Sequence, residues 1–140
     1  MSLFSHVESI FDKQKNGEFK TIYMMVDIHN TILKPSFNKD VEKFEYFPFA
    51  KETLRLISSL PNVKLIMWTS SYDDKIEMYL KHFKDNNIVF DYVNSNPEYK
   101  DLPFASFKTK FYYDIGFDDK FGFDANVDWY NMFKIISDYK

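Results

Sequence analysis

Apolar residues recur along the chain in two rhythms, and the switches between them mark its elements. Val7, Ile10 and Phe11 stand at helical spacing within Ser5 to Gln14, and Asn16-Gly17 is a natural stop. This predicts a short helix lying outside the main sheet. From Lys20 to Asp27, β-branched, aromatic and long apolar residues crowd together and end abruptly at the acid, as in a buried strand. Ile28 to Glu45 follows as a polar connection containing Pro35. Pro48 suits a first helical position, and Phe49, Thr53, Leu54, Ile57 and Leu60 share one face. A helix over Phe49 to Leu60 is expected, ended by Pro61-Asn62.

Val63 to Trp68 (VKLIMW) reads as the second strand and ends at Thr69-Ser70-Ser71. Ser71 with Asp74 resembles a helix N-cap with an acid three residues on. Tyr72, Ile76, Tyr79, Leu80 and Phe83 then recur at the helical period, giving a helix from Tyr72 to Asp85. Ile88 to Val93 (IVFDYV) is a third strand. Asn94 to Ser106 holds two prolines and has little room for a crossover helix. Lys110 to Asp114 (KFYYD) reads as the fourth strand and Ile115 to Val127 as a loop. Asp128 is placed to cap a last helix that buries Trp129, Met132, Phe133 and Ile136.

Strands alternating with helices predict an α/β fold: a three-layer Rossmann-like domain with a parallel sheet of about four to five strands. At 140 residues the chain forms a single domain, with residues 1–19 a helical extension and residues 20–140 the α/β core. A chain of this length buries about two-thirds of its unfolded surface, and 16 Phe with 10 Tyr supply an aromatic-heavy core.

Composition removes several function classes. With no cysteine, thiol catalysis, Cys-ligated zinc and redox roles are excluded. Net charge is −3, and the 18 basic residues are scattered with a single arginine (Arg55), so no nucleic-acid-binding patch is evident. No apolar run reaches the ~18 residues of a membrane span. The N-terminal MSLFSHVESIF lacks the basic and long apolar segments of a signal peptide. The expectation is a cytoplasmic protein with no membrane partner.

Candidate chemistry lies at the strand ends. In open α/β sheets ligands sit beyond the carboxyl ends of the strands, where this reading places Asp27, Thr69 and Asp114. Lys108 and Lys110 stand just before the last of these. A carboxylate nucleophile, a hydroxyl, an ammonium group and a second carboxylate are the parts needed for phosphoryl transfer through an aspartyl-phosphate. Magnesium held by hard oxygens would offset the repulsion between the attacking anion and the phosphate.

In this order the residues resemble the motifs of the haloacid dehalogenase (HAD) superfamily. That family's first motif, an apolar strand followed by Asp-x-Asp-x-Thr, corresponds to Asp27-Ile28-His29-Asn30-Thr31. Its second, a strand ending in Thr or Ser, corresponds to LIMW-Thr69. Its lysine corresponds to Lys108, chosen over Lys100 and Lys110, and its acid-ended strand to FYY-Asp114. The segment DIGFDDKFGFDANVDW is similar to the closing segment of small capless members. The likeness runs over residues 20–137.

The resemblance implies a magnesium-dependent phosphomonoester hydrolase acting on a phosphorylated substrate. Asp27 is the implied nucleophile, and Thr69 and Lys108 steady the phosphate. Asp27, the His29 carbonyl, Asp114 and Asp118 are the implied metal ligands. Two positions depart from the family. His29 replaces the aspartate that protonates the leaving group; imidazole could serve if neighbouring acids keep it charged. Ile115 follows Asp114 where a second acid is common. In one register Asp114 begins a broken Asp-Asp pair; in the other, preferred because it loses no ligand, Tyr113 replaces a Gly and Asp118 is the distal acid. A weakened active site would leave a phosphate-binding or interaction protein as the alternative. The connections from Thr31 to Phe49 and from Asn94 to Lys108 are too short for a large cap domain. The site would then be open to bulky substrates or closed by a second subunit in a homo-oligomer.

Asp124-Ala-Asn126-Val-Asp128 mimics the start of a calcium loop, but Trp129 and Ile135 occupy its essential Gly and Glu positions. A receiver domain would place its acids and hydroxyl in a different strand order. His6 and His82 lie on apparent helices without ligand-spaced partners and read as ordinary surface or core residues.

Overall fold

Ile22–Asp27 forms β1, a buried central strand with sheet neighbours paired to both of its edges. The computed structural model describes residues 2–18, 20–35, 43–99 and 110–140. Its sheet has four parallel strands: β1, β2 (Val63–Trp68), β3 (Tyr92–Val93) and β4 (Ile115–Phe117). Their order is β3-β2-β1-β4, so β1 lies between β2 and β4. The register runs from Ile22↔Val63 to Asp27↔Trp68 on one side and from Met24↔Ile115 to Val26↔Phe117 on the other. The expected parallel α/β, Rossmann-like architecture is therefore present.

Strand alternation divides the apolar residues between the two sheet faces. Ile22, Met24 and Val26, with Leu65, Met67, Ile115 and Phe117, join the main core. Four helices contribute to that core: α1 (Leu3–Lys15), α2 (Ala50–Ser59), α3 (Asp73–Asp85) and α4 (Asp128–Ser137). The opposite face is covered from the connection between β3 and β4. Tyr99 and Tyr112 stack at 3.9 Å and both meet Tyr23 edge-on, while Phe111 packs against Trp68. Gly116 makes room for this layer, since a Cβ there would lie 3.1 Å from the Tyr113 ring and 3.2 Å from Met25 Cε. Among the described residues, aromatic rings cover this face of the sheet.

Several boundaries differ from the sequence reading. The first helix is part of the core rather than an addition to it: Val7, Ile10 and Phe11 are buried in the main cluster. Ser71 does not cap α3; Tyr72 is the N-cap residue, and the Ser71 hydroxyl accepts from Thr69 Oγ1 at 2.9 Å. Pro48 precedes α2 by two positions, and Phe49 turns the chain through a left-handed conformation (φ 63°) before the helix starts at Ala50.

The third and fourth strands both begin later than their apolar runs suggest, and for the same reason. Asp91 stands immediately before β3, donating its N–H to the Leu65 carbonyl and accepting the Leu65 N–H through Oδ2, each at 2.9 Å. Asp114 stands immediately before β4 and does the same with Tyr23, each bond 2.8 Å. In each case a carboxylate oxygen replaces the backbone carbonyl as the ladder's acceptor. Lys110 to Asp114 is accordingly not the fourth strand.

Candidate active site

Asp27 ends β1, and the turn after it closes on the Ile28 and Leu33 carbonyls, the latter accepting the Asn30 N–H at 2.9 Å. Ile28 O accepts the N–H groups of Ile32 at 2.9 Å and Leu33 at 3.0 Å. Asn30 takes the left-handed conformation this turn needs (φ 64°), which asparagine tolerates better than most residues. The turn leaves Thr31 fully buried. Trp129 of α4 donates its indole N–H to the Thr31 carbonyl at 2.7 Å, and Thr53 of α2 donates to the Trp129 carbonyl at 2.8 Å. Two helices on the core side therefore hold one hydroxyl in place beneath the sheet edge.

That hydroxyl links the acids. Thr31 Oγ1 lies 3.1 Å from Asp27 Oδ2 and accepts the Asp119 N–H at 3.1 Å; the Asp119 carboxylate is 3.4 Å away. A hydroxyl has one proton, and the shorter of its two carboxylate contacts assigns that proton to Asp27. Asp118 and Asp119 follow β4 directly, and the Val26↔Phe117 register carries Asp118 alongside Asp27. Asp118 is buried, 5% exposed, with Oδ1 accepting the Lys120 N–H at 2.9 Å. One oxygen from each of Asp27, Asp118 and Asp119 lies within 4.8 Å of the others.

Burial and the neighbouring acids act together on Asp27. Burial, then the charge of Asp118, push the Asp27 carboxyl up to about 6; the Thr31 hydrogen bond opposes them, and Asp119 adds to the rise. Carboxylates this close repel unless protonated or bridged by a cation. Their hard oxygens suit magnesium, which is commonly bound by one or two carboxylates plus water.

The sequence-derived residues separate into those brought together and those kept apart. Asp27 and Asp118 are adjacent. Thr69 follows Trp68, the register partner of Asp27, and so lies at the same end of the sheet. Its backbone is clamped by Asn94, which accepts the Thr69 N–H at 2.9 Å and donates to the Thr69 carbonyl at 2.7 Å. His29 sits in the turn after β1, with Nε2 2.8 Å from the Tyr79 hydroxyl and the rings edge to face. Asp114 is not part of the site. It pairs with Tyr23, four residues before Asp27 and about 13 Å back along the strand. Both proposed registers of the fourth motif therefore misplace it. Lys100 and Lys108 lie outside the described residues, and Lys110 is exposed.

Asp119, and the part that Thr31 plays, are not evident from the sequence motifs. The signal was present: Ile115-Gly116-Phe117 is a short apolar run closed by Asp118-Asp119, the acid pair expected after a fourth strand. Asp114 obscured it by ending a longer aromatic run just upstream.

No family model matches the chain, and no curated protein matches it. Among solved structures, a conserved protein from Bacteroides thetaiotaomicron is similar over 86% of this chain and 93% of its own, with 22% identity and a TM-score of 0.60. At that identity the likeness is one of fold.

Proposed function

We propose that the protein is a magnesium-dependent phosphomonoester hydrolase of the haloacid dehalogenase type, with Asp27 as nucleophile. The observation that carries this reading is the meeting of Asp27, Asp118 and Asp119 around Thr31 at the carboxyl edge of the sheet. Replacing Asp114 by Asp118-Asp119 gives the fourth motif the unbroken acid pair that the sequence reading lacked. Thr69 after β2 and the acids after β1 and β4 occur in the order the resemblance requires.

The chain's own groups divide the work. Thr31 holds Asp27 Oδ2, which leaves Oδ1 to attack phosphorus. The Oδ1–P bond forms as the P–O bond to the leaving group breaks, and the departing oxygen takes a proton from water. Water then attacks the aspartyl-phosphate, releasing phosphate and restoring the carboxylate. Asp27, Asp118 and Asp119 would hold magnesium, with the His29 carbonyl as a further donor. Bound there, the ion would neutralise charge on the nucleophile and the phosphate. The Thr69 hydroxyl, turned from the Ser71 hydroxyl to which it donates, and by resemblance Lys108, would steady the phosphate oxygens.

A second reading, phosphate or metal binding without turnover, draws on one observation. The position expected to supply a carboxylic acid carries His29, whose imidazole is engaged by Tyr79. An assay with para-nitrophenyl phosphate, with and without magnesium, separates the two. Magnesium-dependent turnover lost in Asp27→Asn supports hydrolysis. Turnover that survives in Asp27→Asn excludes Asp27 as nucleophile, and phosphate binding without turnover supports the second reading.

A further inference from the structure

The sheet register places a third side chain in line with the two central acids. Asp27 pairs with Trp68 of β2, and one step beyond Val26↔Phe117 brings Asp118 level with Asp27. Residues paired in parallel strands point to the same sheet face, and neighbouring strands lie about 4.8 Å apart. Trp68, Asp27 and Asp118 therefore form a row across β2, β1 and β4. The contacts agree on the face: Tyr23 and Trp68 both meet the aromatic layer opposite the main core.

Trp68 is 42% exposed, beside an acid cluster in which Asp118 is buried, Asp27 partly so and Asp119 open to solvent. Phe111 lies against it at 5.7 Å and a 54° tilt. Two other rings on the loops at this end of the sheet are more open. Tyr72, four residues after Trp68, is 85% exposed, and Phe121, in the short 3₁₀ turn after Asp118, is 81% exposed. Exposed rings on the strand-end loops to either side of a charged centre resemble a ligand-facing surface more than a core position.

Resting on the hydrolase reading, we propose that the preferred substrates are aryl phosphomonoesters, and that Trp68 is the surface on which the leaving group's ring stacks. In-line displacement sends the leaving group away from Asp27, and the exposed rings of Trp68, Tyr72 and Phe121 are the apolar surface that this end of the sheet offers it. The chemistry at His29 points the same way. A phenol leaves as its phenolate, keeping the electron pair of the broken P–O bond and taking a proton from water. Its conjugate acid has a pKa near that of tyrosine, about 10, so departure needs less help than that of an alkoxide. A site with no carboxylic acid at position 29 is thus better matched to aryl than to alkyl esters.

The test compares phenyl phosphate with glycerol phosphate, so that intrinsic reactivity cancels in the variant-to-wild-type ratio. Trp68→Ala should lower kcat/KM for phenyl phosphate about two- to tenfold, the range expected for one aromatic contact, and leave glycerol phosphate unchanged. Trp68→Phe should retain most of the aryl preference. Equal effects on both esters would overturn the proposal while leaving hydrolysis intact.

A binding readout separates it from turnover. Trp129 is fully buried, so acrylamide quenching of tryptophan fluorescence reports chiefly on Trp68. With magnesium present, phenylphosphonate should protect that fluorescence and methylphosphonate should not. Protection without turnover of any ester would support the ring subsite and overturn the hydrolase reading. Equal protection by both phosphonates, or by neither, would overturn the subsite.

Discussion

Asp114 and Tyr23 exchange two hydrogen bonds of 2.8 Å, one from each backbone N–H, with the Asp114 carboxylate accepting the Tyr23 amide. The second carboxylate oxygen takes the Tyr112 hydroxyl at 2.6 Å, and His6 bonds the Asp114 carbonyl at 2.7 Å. These partners tie β1, α1 and the aromatic layer together at the amino end of the sheet.

The role follows from those bonds. Asp114→Ala leaves the Tyr23 amide without its acceptor and should cost about 1–3 kcal/mol, seen as a lower midpoint in urea unfolding. Asp114→Asn keeps an acceptor oxygen and should recover much of that loss. A variant that unfolds like wild type would show that water replaces the carboxylate at no cost.

Asp27 gives the metal-free protein a particular response to pH. Its carboxyl is raised from 3.8 to about 6, first by burial and then by Asp118. Between those values the folded state keeps a proton that the unfolded chain releases. This contribution to stability is therefore complete at low pH and is lost as pH rises through about 6. Asp27→Asn removes the dependence. At pH 7 without metal it should be more stable than wild type by about 1–2 kcal/mol, a figure discounted for the half-exposed position. Melting curves from pH 4 to 8 with a chelator present measure the difference. A wild-type-minus-variant difference that does not change with pH would sink the assignment.

The sheet and its carboxyl edge were legible because they rest on local pattern. Buried runs such as Ile22–Val26 and Leu65–Met67 have no other stable environment, and an α/β order leaves the strand direction little choice. Asp27 could be placed from its run alone. Asp114 could not, because an acid that begins a strand and an acid that ends one look alike in sequence. Asp91 and Asp114 both begin strands by lending a carboxylate to the neighbour's ladder. The pairing partner decides between the two roles, and it lies 91 positions away for Asp114. Thr31 presents the same difficulty. Its burial depends on Trp129, 98 positions further on, which no spacing within DIHNT reveals.

The metal reading separates the acids that the sequence confused. Magnesium at about 100 times its dissociation constant should stabilise the wild-type protein by about 2.7 kcal/mol, raising the melting temperature by several degrees. Asp118→Asn should abolish that increment, and Asp114→Asn should retain it. Thr31→Val, which keeps the shape but loses both hydrogen bonds of the hydroxyl, should weaken the response and destabilise the apo protein by about 1–3 kcal/mol. If Asp118→Asn responds to magnesium like wild type, Asp118 leaves the proposed ligand set.

His29 marks where this site departs from the family it resembles, and its contacts suggest how it behaves. Nε2 lies 2.8 Å from the hydroxyl of Tyr79, a buried residue of α3, so the imidazole is held by a neighbouring helix. On the hydrolase reading, the backbone of position 29 serves the metal and the side chain transfers no proton. His29→Ala should then change kcat by less than about threefold for either an alkyl or an aryl phosphate, far below the 10²–10⁴-fold effect of a lost general acid. His29→Asp should do more than preserve activity. A carboxylic acid placed there can protonate an alkoxide as it leaves, so the alkyl ester should gain by at least about 10²-fold. An activated aryl phosphate, whose leaving group departs without that help, should gain little. The ratio of the two rates across wild type, His29→Ala and His29→Asp is the measurement. A large loss confined to the alkyl ester in His29→Ala would show instead that the imidazole leaves Tyr79 and donates the proton itself.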